Sequence, residues 1–328
     1  MISLFRKYNP VNTAWLVLVV ILLRLVYIAK APDKLDFIFV ETFTRSLVPV
    51  AYENAFSPVI NILLAALLVY GQALLVNYVA NFYNLLGRPS FLPALMFVVA
   101  SSIFTPFLIL SPPLICNFLV IWMIFKMLAL YKADNANALG YDLGMLVAVG
   151  SLIYLPFIYF MVLVWIAFII FRPFNIREWL STILGYITIF FFLAVYYYMT
   201  DRIDSFFNIW LPLGTKLPTS IVIKQYTYVL LIPVAVFFFL SFTKISALYY
   251  KSYIHSRKGL ILMVLIFLIA GLSFYVKAEF RLSHFLLCAL PTAIFFAYYF
   301  LYAKWKWFYE TLFLLFVAGI IFFQFNNF

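Results

Sequence analysis

A chain of 328 residues with 40 Phe, 24 Tyr and 7 Trp, 67% hydrophobic and only 10% charged, carries more apolar surface than one water-soluble core hides. A bilayer is required, and the net charge of +11 is the excess that the loops of a polytopic protein acquire when they fix its orientation, so no nucleic-acid partner is implied. With two His, two Cys and no HExxH, glycine-rich phosphate loop or clustered Cys/His ligands, zinc hydrolysis, nucleotide-driven pumping and redox chemistry lack their residues.

The first apolar run, 13–29, is flanked by charge and has no small-residue cleavage pattern, so it reads as a retained helix rather than a signal peptide. Further runs of membrane length fall at 58–80, 91–109, 114–130, 180–199, 225–242, 259–276, 285–302 and 311–325. Cys116 and Cys288 lie inside such runs, where cysteine behaves as a small buried hydrophobe. The stretch 143–171 is too long for one span and short for two, and Pro156 in its middle removes a helical donor. Loop charge decides between the two. A double crossing puts 13 Lys and Arg on the inner side and 8 outside, whereas a single crossing gives 10 against 11. The sequence therefore predicts an all-α polytopic bundle of about 11 spans, one membrane domain over 1–328, with a broken or re-entrant helix pair near 143–171. Its N terminus is cytoplasmic. A water-filled hollow near Pro156 is expected, because broken backbone at that depth must be covered by protein or line a cavity.

In this topology 31–57 is the first outer loop, and "KAPDKLDFIFVETFTR" (30–45) holds six charges in sixteen positions. Phe37, Phe39, Val40, Phe43 and Leu47 alternate with those charges as in a helix lying in the headgroup layer, and Glu41 and Arg45 stand at i,i+4. Seven of the eleven carboxylates, among them Asp33, Asp36 and Glu41, fall on the outer side. Unrestrained loop composition accounts for this, and so does a ligand-binding or catalytic carboxylate at the water boundary. Arg24 lies inside the first span, where an ionised side chain marks a functional site unless it snorkels to the headgroups. Near the tenth span, "KAEFRLSHFLLCALP" (277–291) gathers Lys277, Arg281 and His284 at helical spacings suited to a lipid phosphate, with a snorkelling span boundary as the plain alternative. On the inner side "KISALYYKSYIHSRKG" (244–259) either docks anionic lipid or an acidic partner, or simply anchors orientation.

The first-span arginine followed by an acidic outer loop, "LLRLVYIAKAPDKLDFIFVETFTR", resembles the start of the GT-C superfamily of membrane glycosyltransferases. "SPVINILLAALLVY", the broken pair "GSLIYLPFIYFMVLVWIAFIIFRPF" and "AEFRLSHFLLCALPTAIFFAYY" resemble later parts of that fold. With "RPFNIREWL" added, the chain also looks like an uncharacterised family of bacterial inner-membrane proteins. The GT-C resemblance implies a carboxylate acting as base or divalent-metal ligand at Asp33, Asp36 or Glu41, and a polyprenyl phosphate held by Arg24, Arg45, Arg281 and His284. Two departures stand out: "DKLD" replaces the usual tight acidic pair, and no large soluble domain follows the bundle. No resident cofactor or metal is implied by the residues themselves. The expected partners are membrane lipids, a polyprenyl-phosphate lipid and other envelope membrane proteins. Two functions follow: glycosyl transfer at the outer face, or a non-catalytic accessory subunit of an export, secretion or lipid-handling complex. A transporter is disfavoured, since no inverted repeat is visible.

Overall fold

The computed structural model describes residues 1–30, 57–208, 225–276 and 281–325, and among these every regular element is helical. The expected outer-loop helix, 31–57, lies outside the described residues except for Ser57. The principal helices are α1 (Asn12–Ala29), α2 (Pro58–Phe82), α3 (Leu92–Ala100), α4 (Pro112–Ala129), α5 (Asn137–Ile153), α6 (Phe160–Phe171), α7 (Ile176–Met199), α8 (Gln225–Leu248), α9 (Ile254–Leu272), α10 (Ala289–Tyr302) and α11 (Lys306–Phe325). Eight helical segments are long and apolar enough to cross a membrane by length and composition, while α5 and α6 are shorter.

Local chemistry sets the boundaries. The Ser57 hydroxyl accepts from the Ile60 amide at 3.4 Å and Pro58 occupies the first turn, so α2 starts with a side-chain cap and a ring that costs no hydrogen bond. It stops at Asn84, which takes φ 50°. The Leu85 amide then donates to Ala80 O at 2.9 Å and the Asn84 amide to Asn81 O at 3.1 Å, the paired bonds of a Schellman terminus.

Two runs depart from the expected single α-helices. In the run 91–109 only Leu92–Ala100 is α-helical. The Ser101 hydroxyl donates to Phe97 O and the Ser102 hydroxyl to Val98 O, and Pro106 then offers no amide, so the regular ladder ends there. The run 285–302 begins as a 3₁₀ segment, Leu282–Cys288, and becomes α-helical only from Ala289. Pro291 cannot donate to the carbonyl four residues back, which leaves the preceding turn to tighter bonding.

The pair broken at Pro156 is present as expected. Helix α5 ends at Ile153, Tyr154 is extended (φ −149°), and a 3₁₀ turn, Leu155–Tyr159, leads into α6. Covering the break is protein rather than a water-filled hollow: Leu155, Pro156, Phe157 and Phe160 are all buried, and Phe157 stacks on Phe160 with ring centroids 4.5 Å apart. Phe157 folds back over Gly150, where a Cβ would meet its ring at 2.2 Å. Gly150→Ala is therefore expected to lower stability by about 1–3 kcal/mol, the range for an overfilled core, measured as a fall in melting temperature in detergent.

Long-range hydrogen bonds sort the chain ends into two groups. At one end the Phe91 amide donates to Phe5 O, the Tyr302 hydroxyl to Leu86 O, the Ser256 hydroxyl to Asn84 O, and Arg6 to Phe300 O and Ala303 O. Arg172 donates to Leu130 O and Ala133 O there, so α6 returns to the end from which α5 set out. At the opposite end the Lys30 ammonium donates to Phe325 O and the Leu110 amide to Asn61 Oδ1. The centre is α3, all nine of whose residues are buried, packed against α2 and α10, with α8 on the far side of α10. Helix α7 packs chiefly on α5: only 17% of its apolar window is buried, against 83% for Leu282–Tyr302, which makes α7 the outermost wall.

Candidate functional site

Arg24 sits five residues before the last residue of α1, facing inward with Val20, Leu23 and Tyr27. Its side chain is fully buried, and Nε, Nη1 and Nη2 all lack a hydrogen-bond partner among the described residues. It does not snorkel. A guanidinium carries five donors in a fixed fork, and burying it without an acceptor is among the costliest arrangements a membrane helix carries. On α11, Gln324 is also buried, and neither atom of its amide has a partner among the described residues. Both helices reach the same end of the bundle, where Lys30 meets Phe325 O.

Asp33, Asp36, Glu41 and Arg45 lie outside the described residues. Arg281 and His284 are described, and they are not on one α-helical face. Arg281 is extended (φ −126°) and caps the 3₁₀ segment, while His284 is buried within it. The His284 Nε2 stands 2.7 Å from Ala270 O, and a carbonyl only accepts, so Nε2 is the donor there. Nδ1 then accepts from the Tyr154 hydroxyl at 2.7 Å, and the Ser273 hydroxyl lies 3.2 Å from Nε2. His284 thus ties the Pro156 break to the end of α9 and the start of the α10 run. That tie was hidden in the sequence, because its partners come from two segments, around Tyr154 and around Ala270 and Ser273, that are far apart in the chain.

Leu282, next in the chain to Arg281, lines an apolar groove of about 530 Å³ on which Arg281 itself does not appear. Phe104 and Phe107 form one wall, Leu231, Val234 and Phe238 of α8 another, and Leu272 and Leu282 complete it, with Thr292 the only hydroxyl among its described lining residues. Arg24 is not on that lining. Among the described residues no three His, Cys, Asp or Glu side chains gather as metal ligands would.

An all-helical bundle with eight apolar helices of membrane length is a polytopic membrane protein. Over residues 30–328 the sequence matches a family of unknown function, DUF6427, and the chain belongs to that family. No curated protein and no solved structure matches it. The family match begins just after α1, so it takes in the 31–57 segment and every later helix, while Arg24 precedes it.

Proposed function

We propose that this chain is a bacterial inner-membrane protein of GT-C-like architecture that handles a polyprenyl-phosphate-linked sugar at the outer face. One observation supports the reading: an open, almost wholly apolar groove of about 530 Å³ is lined by Leu282, the chain neighbour of Arg281, and by Phe107 and Leu272, toward the end of the bundle to which the 31–56 segment is joined. An isoprenoid tail needs such a trough, and its phosphate needs cations at the trough's mouth. The chain then crosses eleven times, with α5 and α6 as a pair and 92–111 and 282–302 as passes only partly α-helical. The end holding Arg6, Arg88, Lys132, Arg172 and Lys258 is cytoplasmic, in keeping with the positive-inside rule.

In this reading a carboxylate at Asp33, Asp36 or Glu41 takes the proton of an acceptor hydroxyl as its oxygen attacks the sugar's anomeric carbon. The bond from that carbon to the lipid phosphate breaks, and Arg24, Arg45 and Arg281 hold the departing phosphate. Arg24 supports the idea because a buried guanidinium without an acceptor among the described residues calls for an anion.

Arg24→Met tests it. Removing an uncompensated buried charge leaves the fold equally stable or stabilises it by up to about 3 kcal/mol. Photocrosslinking of a diazirine-bearing polyprenyl phosphate to groove residues such as Leu272 and Phe238 is expected in the parent and is lost in Arg24→Met. Equal labelling by the phosphate-free prenol, or labelling unchanged in Arg24→Met, removes the reading. The accessory-subunit alternative draws on α7, whose Leu184, Ile187, Phe191 and Val195 lie exposed along one side as a partner helix would want them. Full complementation of a deletion by Asp33→Asn, Asp36→Asn and Glu41→Gln together would favour that alternative.

A further inference from the structure

A second cavity lies at the opposite end from the groove. It measures about 730 Å³ and is bounded by the end of α2 at Tyr83 and Asn84, the turn after α4 at Tyr131 and Lys132, and the start of α9 at His255 and Ser256. No Asp or Glu is among its described lining residues, whereas Lys132 and His255 are.

The arrangement around His255 is specific. Its ring stands between Tyr83, 5.6 Å away, and Tyr131, 5.1 Å away and edge-on. Nε2 lies 3.4 Å from Leu128 O, a long contact. Lys258 also reaches over Tyr131, its ammonium 5.6 Å from the ring centroid. Of the nearby acids, Asp142 pairs with Lys126 at 2.6 Å and Glu178 with Arg172 at 2.9 Å, while Asp134, two residues from Lys132, forms no ion pair with Lys132 or Lys258. Helix α9 begins at the cavity, and its N-cap residue Tyr253 supplies no side-chain acceptor, so the amides of the first turn add positive potential. Tyr83 remains a neutral phenol: burial, then the neighbouring Tyr78, pushes its pKa up to about 12, and its hydroxyl donates to Phe125 O at 2.9 Å.

From this cavity, its aromatic walls and cations that have no ion pair among the described residues, we infer a phosphate-binding site at the cytoplasmic end of the bundle, distinct from the groove and independent of glycosyl transfer. The phosphate is carried either by an anionic lipid headgroup or by a soluble phosphate compound. Lys132 and His255 contact it, with Lys258 supplying longer-range attraction.

The full chain in phosphatidylcholine nanodiscs provides the test. In one arm a tenth of the lipid is replaced by phosphatidylglycerol; in the other inorganic pyrophosphate is added to the pure phosphatidylcholine discs. A rise in melting temperature in the first arm alone assigns the phosphate to lipid, and a rise in the second alone assigns it to a soluble compound. In either case Lys132→Gln and His255→Gln should each weaken the half-saturating concentration by about tenfold, the scale of one charge-assisted hydrogen bond. Lys306→Gln, at the same end but away from the cavity, should leave it unchanged. If His255→Gln does not fold, the exposed Lys132→Gln still decides. No stabilisation in either arm, or stabilisation indifferent to Lys132→Gln, overturns the inference.

Discussion

Gly144→Ala or Gly185→Ala is expected to unseat α7 from α5 and to cost the protein more stability than any other single methyl group. A Cβ at Gly144 would stand 2.0 Å from Thr182 O, and one at Gly185 would stand 2.0 Å from Tyr141 O. Both obstacles are backbone, which cannot rotate aside, so the helices must move apart along the whole seam. Gly140 and Ser181 extend the contact one turn further, with a Cβ at Gly140 only 2.6 Å from the Ser181 hydroxyl. This is small-residue packing at four-residue spacing on both helices, the arrangement that lets backbones approach closely where lipid gives no hydrophobic drive to associate. The expected loss is about 3 kcal/mol or more, at the upper end of overpacking, read as a fall in the melting temperature of the detergent-solubilised protein. Gly319→Ala is the control: nothing lies within 4 Å of its Cβ position, so the better helix former should gain up to about 1 kcal/mol.

The second large effect is expected at Arg172. It grips Glu178 through two bonds, Nε to Oε2 at 3.0 Å and Nη2 to Oε1 at 2.9 Å, and Glu178 is only 2% exposed. The same guanidinium donates to Leu130 O and Ala133 O, so one side chain joins the α6–α7 turn to the α4–α5 turn. Arg172→Ala would leave a buried carboxylate unpaired and two carbonyls short of a donor, a loss of about 3–5 kcal/mol. Arg172→Met with Glu178→Leu should recover much of that loss, because a buried pair and a well-packed apolar pair differ far less than a pair and half a pair. A double-mutant cycle of melting temperatures checks this, and additive single losses would show that the two side chains do not act together.

These two features show how far the sequence carries. Hydropathy and length place α1, α2, α4, α7, α8, α9 and α11 within a few residues, because a lipid-facing wall must be apolar along its whole length. The break at Pro156 was legible for the same kind of reason, since a run of that length has few ways to fit a bilayer. What hydropathy misses is how a run is built inside: Ser101, Ser102 and Pro291 turn α-helix into tighter or irregular chain without changing the apolar character of their runs. Gly140 with Gly144, and Ser181 with Gly185, carried a readable small-residue spacing, but nothing local says that those two segments face each other. At the candidate site, Arg24 was conspicuous as an ionised residue within a span, and the structure places it inward, without an acceptor among the described residues. His284 reads as a surface cation in sequence and is an internal tie in the fold, since its partners lie 130 and 11 residues away. The carboxylates Asp33, Asp36 and Glu41 lie outside the described residues, so their part in the site rests on sequence alone.

The single glycine seam of α7 has a mechanical consequence. A wall fastened along one line to a kinked hairpin, with most of its remaining surface turned to acyl chains, takes up stress from bilayer thinning or stretching before the interior does. The hairpin, locked at its base by Arg172 and at its apex by His284, would transmit that strain as a tilt of one rigid unit while α3 and α10 hold still.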